Sequence, residues 1–301
     1  SILKKVPSYV GHDTEGFEEP LVGLQDGFLC WGPPSTTPLS KTVFGPRMEL
    51  IGRLFSYVWQ FNEQTEQRFY SIIGRQFACA EQLGWFETRE IVDYPEMLLY
   101  TKQLMHLKNG LRKYFREGEL MRPLKWEKAP GKYTYLHESG KYITVDRVFS
   151  GAYICRDGLG IVLLVNPMLQ TEKIQPLVQY PGKVFALCEM NAEKPRILPN
   201  DGNCSPELSF RPLEVKFLLT GSENDEKFQA EANRVQQLLN KVARFRKPDQ
   251  AVENFGKLGR LPSRQVADGQ QITAGFLRNI TGALPAKDNS FISWFRWNYA
   301  L

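Results

Sequence analysis

Glu214 and Lys216 stand two residues apart inside an otherwise apolar run, Pro212 to Leu219, and no other residues in the chain bear so directly on chemistry. The run reads as a strand, where side chains alternate faces, so both charges project from one side. A charge on a largely buried strand is costly unless it is paired or bound to an ion. A carboxylate so placed can hold a divalent metal beside a lysine that orients water. The alternative is an amphipathic edge strand with both charges in solvent, an ordinary surface pair.

Leu213-Glu214-Val215-Lys216 resembles the hydrophobic-Glu-x-Lys strand of the PD-(D/E)XK nuclease superfamily. In that superfamily an acid lies upstream of the strand and a helix with polar residues follows it. The resemblance implies that Asp201, 13 residues before Glu214, shares a Mg²⁺ ion with Glu214, and that Lys216 positions or activates water. It also implies a helix opening near Gln229, and metal-dependent phosphodiester cleavage as the activity. Asn200 stands where the family usually carries the proline before its acid. The other upstream acid, Glu207, is only seven residues away and would close a very tight hairpin.

A second constellation is basic and aromatic. Residues 102–132 carry nine Lys or Arg against three acids, and residues 241–264 carry seven against two. The net charge of the whole chain is only +5, so these clusters are local excesses that suit a polyanion. Tyr133, Tyr135, Tyr142, Phe149 and Tyr153 are interleaved with Lys132, Lys141 and Arg147. Aromatic faces stack on bases while cations neutralise phosphates, so this mixture suits nucleic acid, DNA or RNA alike. Lys108, Arg112, Lys113, Arg116, Lys125, Lys132, Tyr133 and Tyr135 are the expected contacts. Two solvated surfaces and ordinary strand packing are the structural alternative.

Several chemistries lack their signatures. There is no P-loop, dinucleotide fingerprint, G-x-S-x-G elbow or HExxH. Three histidines (His12, His106, His137) without ligand spacing argue against structural zinc. No cofactor is expected unless the nuclease resemblance brings Mg²⁺. Five scattered cysteines without CxxC spacing read as free thiols in a reducing, intracellular compartment. The longest apolar run, Leu159 to Met168, is far too short to span a bilayer, so no membrane partner is expected. The chain begins at Ser1 and not at methionine, which leaves a removed leader open.

The elements that must position these residues follow from pattern. Residues 1–46, with Gly32-Pro33-Pro34 and Pro38, read as an extended arm. Residues 47–130 read as mainly helical: Ile51, Leu54, Phe55, Val58 and Trp59 recur at short helical spacings, then Phe69, Ile72, Ile73 and Phe77. Pro95 suits the first turn of a further helix, with Leu104, Leu107, Leu111 and Phe115 on one face. Residues 131–301 read as α+β and form one domain with the rest or a separate one.

Lys132–Leu136 with Lys141–Phe149, and Ala152–Cys155 with Leu159–Val165, read as hairpins, the second turning at Asp157-Gly158. Lys183–Met190 and Leu213–Thr220 read as further strands. Phe228, Ala232, Val235, Leu239 and Val242 predict a helix capped by Ser222 or Asn224. The terminal aromatics Phe291, Trp294, Phe295, Trp297 and Tyr299 suit core packing or a protein partner, including self-association. The order of elements predicts an α+β fold. The functional expectation is a nucleic-acid-binding protein or nucleoprotein subunit. The nuclease is one alternative, and an interaction subunit without nucleic-acid contact is the other.

Overall fold

The computed structural model describes residues 63–84, 94–136, 140–179, 184–199, 206–222 and 224–245. It also describes short segments at 13–14, 27–29 and 49–51 and single positions at 42, 55 and 182. Asp201 and the terminal aromatics lie outside the described residues. Contacts divide the chain into Ser1–Trp85 with Tyr100–Phe245, and Phe86–Leu99 with Arg246–Leu301. In the second unit, Tyr94 accepts through its carbonyl from Met97 and Leu98 at the start of a helix.

In the first unit the chain forms three short strands, β1 (Asp13–Thr14), β2 (Gly27–Leu29) and β3 (Glu49–Ile51), paired in parallel in that order. β3 corrects the helical expectation for the stretch after Pro46. An apolar run this short carries no period of its own, and the partner at 27–29 decides its backbone pairing. Helices α1 (Glu63–Ala78), α2 (Pro95–Gly110) and α3 (Arg112–Glu117) follow. Phe69, Ile72, Ile73 and Phe77 are fully buried on α1, which is covered on all sides along its second half. Leu104, Leu107, Leu111 and Phe115 are likewise buried.

Eleven strands come next: β4 (Glu119–Leu120), β5 (Lys125–Lys128), β6 (Lys132–Leu136), β7 (Tyr142–Asp146), β8 (Phe149–Ile154), β9 (Gly160–Val165), β10 (Glu172–Leu177), β11 (Val184–Glu189), β12 (Arg196–Pro199), β13 (Leu208–Phe210) and β14 (Val215–Gly221). The last described helix, α4, spans Glu226–Ala243. Its N-cap is Asp225, whose carboxylate accepts from Lys227 N at 2.9 Å, in place of the expected Ser222 or Asn224. The predicted stripe Phe228, Ala232, Val235, Leu239 and Val242 is the buried one.

The central sheet runs β12-β11-β14-β9-β8-β4, every neighbour antiparallel. Alternation gives it two apolar faces. One face meets the helices: α1 and α3 lie on β8, α1 also on β9, and α4 on β11 and β14. Phe77 packs on Phe217 there, and Tyr153 donates to the Ala78 carbonyl at 2.8 Å. The other face, with Ala152, Val162, Leu164, Phe185, Leu187 and Leu218, shares a core with Ile174, Leu208 and Phe210. Those three belong to a second antiparallel sheet, β13-β10-β5. The unit is thus helices, sheet and sheet in three layers, with the β6-β7 hairpin as a separate pair. The described residues are 35% helical and 34% strand, and the fold is α+β.

Side-chain amides tie loops to this frame. Gln67 donates to the Pro167 carbonyl at 2.9 Å and accepts from Leu169 N at 3.0 Å. Gln76 makes the same two-way clasp with Gly84, and Gln236 with Glu189. Asn166, fully buried, donates to the Gln170 and Arg211 carbonyls and accepts from Met168 N. Each buried amide therefore has its partners, as the low-dielectric interior requires.

Candidate nucleic-acid interface

β14 lies between β11 and β9, not at an edge, so the solvent-exposed alternative for Glu214 and Lys216 does not hold. Their side chains are 6% and 8% exposed. Pro212 and Leu213 form the turn that leads in, with Leu213 at φ +56 and Glu214 N bonding to the Arg211 carbonyl. Consequently the strand begins at Val215 rather than Leu213.

Glu214 accepts from Arg211 N at 2.8 Å and from the Arg211 guanidinium at 3.0 Å, with Lys216 Nζ 3.9 Å away. Lys216 pairs with Glu189, its register partner on β11, and its ammonium lies 5.4 Å from the Phe210 ring centroid. Two acids and two bases thus neutralise one another at one end of the sheet-on-sheet core. Asp201 is not among the described residues, and Glu207 pairs instead with Lys128 at 3.5 Å. No group of three or more His, Cys, Asp or Glu able to hold a metal occurs among the described residues. The candidate donors Glu189 and Glu214 are each turned toward a cation, an arrangement that favours a structural ion network.

The expected nucleic-acid contacts separate into two kinds. Tyr133 and Tyr135 share one face of β6, as alternation predicts, and stack at 5.8 Å. That face is the inner one, shared with buried Ile143 and Val145, and Tyr135 is only 3% exposed. Burial pushes the Tyr133 hydroxyl pKa up, against a smaller opposing effect of Arg68. The outer face carries the Lys132–Asp146 ion pair and the Thr134–Thr144 hydrogen bond. It also carries Tyr142, 77% exposed, opposite Leu136, 47% exposed. Tyr142 is thus the aromatic that reaches solvent.

On the helical side, Lys108 donates to the Glu81 carbonyl at 2.8 Å. Lys113 pairs with Asp157 at 2.6 Å, across to the β8-β9 turn. Arg112, Arg116 and Lys125 are exposed and carry no ion pair among the described residues. Arg156, also exposed, adjoins Asp157 in the same turn. It was not visible as a contact in the sequence, because the packing of α3 on β8 and the Lys113–Asp157 pair bring that turn beside α3.

A clasp on α4 steadies this face. Arg234 holds Glu231 through two bonds of 2.7 and 2.8 Å and donates to the Gly110 carbonyl at 2.8 Å. Burial pushes the Glu231 carboxyl up, but Arg234, Tyr114 and Lys113 outweigh it, and its pKa falls below the ordinary carboxylate value. The Lys113 hydrogen bond, against a smaller effect of burial, leaves Asp157 low as well. For Lys113, burial opposes the charge and Asp157 restores it, with a net rise.

The described cysteines Cys79, Cys155 and Cys188 are buried, and burial lifts the thiols of the last two to about 11 and about 12. Cys155 and Cys188 are therefore inert thiols at neutral pH. No helix among the described residues is long and apolar enough to cross a membrane.

No family model matches the chain, and no curated protein matches it. Among solved structures it is similar to a GH30 endoxylanase from Clostridium papyrosolvens C71, with TM-score 0.34 and 9% identity over 67% of this chain and 50% of that one. The GH51 arabinofuranosidase from Xanthomonas axonopodis pv. citri gives 0.29 and 10% over 69% and 57%. The GH51 α-L-arabinofuranosidase from Thermotoga petrophila RKU-1 gives 0.21 and 15% over 31% and 24%. The chain spans between about a quarter and just over half the length of these enzymes. At such scores the likeness carries neither a fold nor an activity to this chain.

Proposed function

We propose that this chain is a non-catalytic nucleic-acid-binding protein that uses the α2–α3 face as its phosphate contact. The observation that carries the reading is the pair Arg112 and Arg116, one turn apart on α3, both exposed and without an acidic partner among the described residues. Lys113 stands between them, paired with Asp157, and exposed Arg156 adjoins that aspartate; Glu117, next to Arg116, is the exposed acid on α3 itself. Arginine suits phosphate through its planar donor fork. Of the two stacking aromatics expected on β6, Tyr135 is buried and Tyr133 half-buried, so neither makes an open stacking platform. The contact expected is therefore to the backbone and weakly dependent on sequence.

Fluorescence anisotropy with labelled poly(dT), polyuridylate and duplex DNA across a salt series tests this. Binding should weaken steeply with salt, and Arg112→Gln with Arg116→Gln should lower the slope by about 1.4 to 1.8 for two lost phosphate contacts. No binding at low salt to any of the three would overturn the reading. The protein would then be better described as an interaction subunit, a reading that the exposed Tyr142–Leu136 pair favours.

A further inference from the structure

Asp157 is the carboxylate that holds Lys113 on this cationic face, and its two oxygens have different tasks. Oδ1 accepts from Leu159 N at 3.2 Å, closing the turn between β8 and β9. Oδ2 meets the Lys113 ammonium at 2.6 Å. The turn is held independently by Gly158 N on the Cys155 carbonyl and by Cys155 N on the Leu159 carbonyl. It therefore does not need Lys113. The ion pair is also half open to water, with the two side chains 32% and 42% exposed, so an incoming anion can reach the ammonium.

We propose that Asp157 is an internal stand-in for a phosphate group. In the free protein its Oδ2 occupies Lys113; when a polyanion docks against Arg112 and Arg116, a phosphate oxygen takes that place and the carboxylate yields it. This inference rests on the polyanion reading of α3 and adds a regulating residue to it. Asp157 lowers the affinity of the face in two ways: it consumes one cation, and it repels phosphate. A pair this exposed is weak, so the competition is reversible and set by ligand concentration and salt.

Asp157→Asn separates the two tasks, because the asparagine oxygen still accepts from Leu159 N while the charge is gone. With labelled poly(dT) as probe, Asp157→Asn should bind about threefold to tenfold more tightly at low salt. Its salt slope should steepen by about 0.7, for one further single-strand phosphate contact. Adding Lys113→Gln to Asp157→Asn should abolish the gain. Asp157→Ser, whose hydroxyl also suits the turn, should behave as Asp157→Asn does and guards against a folding artefact.

If wild type binds and neither Asp157 variant binds more tightly, the stand-in role is overturned while the polyanion reading survives. A gain of undiminished size in the Lys113→Gln background also overturns it, since Lys113 would not be the group released. If no form binds, the polyanion reading falls first and takes this one with it.

Discussion

Lys216 shows how far a residue's chemistry is set by its neighbours. Its ammonium is nearly buried and held by Glu189, with Glu214 held in turn by Arg211. Lys216→Met should therefore cost about 1 to 3 kcal/mol in urea unfolding, because it removes the cation shared by half-buried Glu189 and buried Glu214. The double change Lys216→Met with Glu189→Leu should recover most of that loss. A water-positioning lysine would behave oppositely, with stability kept and cleavage lost.

Asp157 and Glu231 carry a second prediction at this scale, with a definite sign. Both have folded pKa values below their ordinary ones, so their stabilising contribution is present above about pH 4 and is lost as pH falls through the folded values. Lys113, raised, contributes below about pH 10 and loses that contribution as pH rises through its folded pKa. Thermal unfolding against pH should show the acid limb flattened in Glu231→Gln. An unchanged acid limb would remove the clasp from the account.

At the scale of elements, the seam between α1 and β8 admits no extra atom. A Cβ on Gly151 would fall 1.9 Å from the Ala78 carbonyl oxygen, the same oxygen that accepts from Tyr153. Gly151→Ala should destabilise by about 3 kcal/mol or more, seen as a lowered urea midpoint, because backbone on both sides must move. Midpoints within error of wild type would mean that helix and sheet slide freely past each other.

Elements also differ in how legible they were. The β8-β9 hairpin could be read because Asp157-Gly158 specifies its turn, and Gly158 sits at φ +84 as such turns demand. α4 could be read because its apolar residues repeat over about four turns. The strands β5, β10, β12 and β13 could not. They are three to six residues long, and β10 contains Pro176 and begins with Glu172 and Lys173. Apart from β12, which folds back on β11, their pairing is decided by partners far away in sequence, and local pattern is silent on that.

For the whole molecule, the same limit explains the site. Sequence read Glu214 and Lys216 as one face of a strand; Lys216 lies on β14 and Glu214 just before it, 3.9 Å away, and alternation cannot distinguish an edge strand from a central one. The Glu189–Lys216 register pair, 27 residues apart, is a property of the sheet order. Likewise Tyr133 and Tyr135 shared a face as expected, yet which face met solvent depended on the hairpin's packing. The basic excess of residues 102–132 was plain in composition. Its division into exposed Arg112 and Arg116, engaged Lys108 and paired Lys113 required the fold.

The glutamine clasps have a consequence for exchange kinetics. Leu169 and Gly84 lie outside every strand and helix, where backbone protons normally trade with solvent within moments of local opening. Here each amide proton is given to a glutamine oxygen carried by α1, and its exit requires that helix to detach. In deuterium labelling, these two loop positions should therefore exchange at the pace of buried α1 residues such as Ile73, orders of magnitude behind exposed loop amides. Gln67→Ala should release Leu169 alone and leave Gly84 slow. Fast exchange at both sites in the unaltered protein would mean that the loops open without the helix.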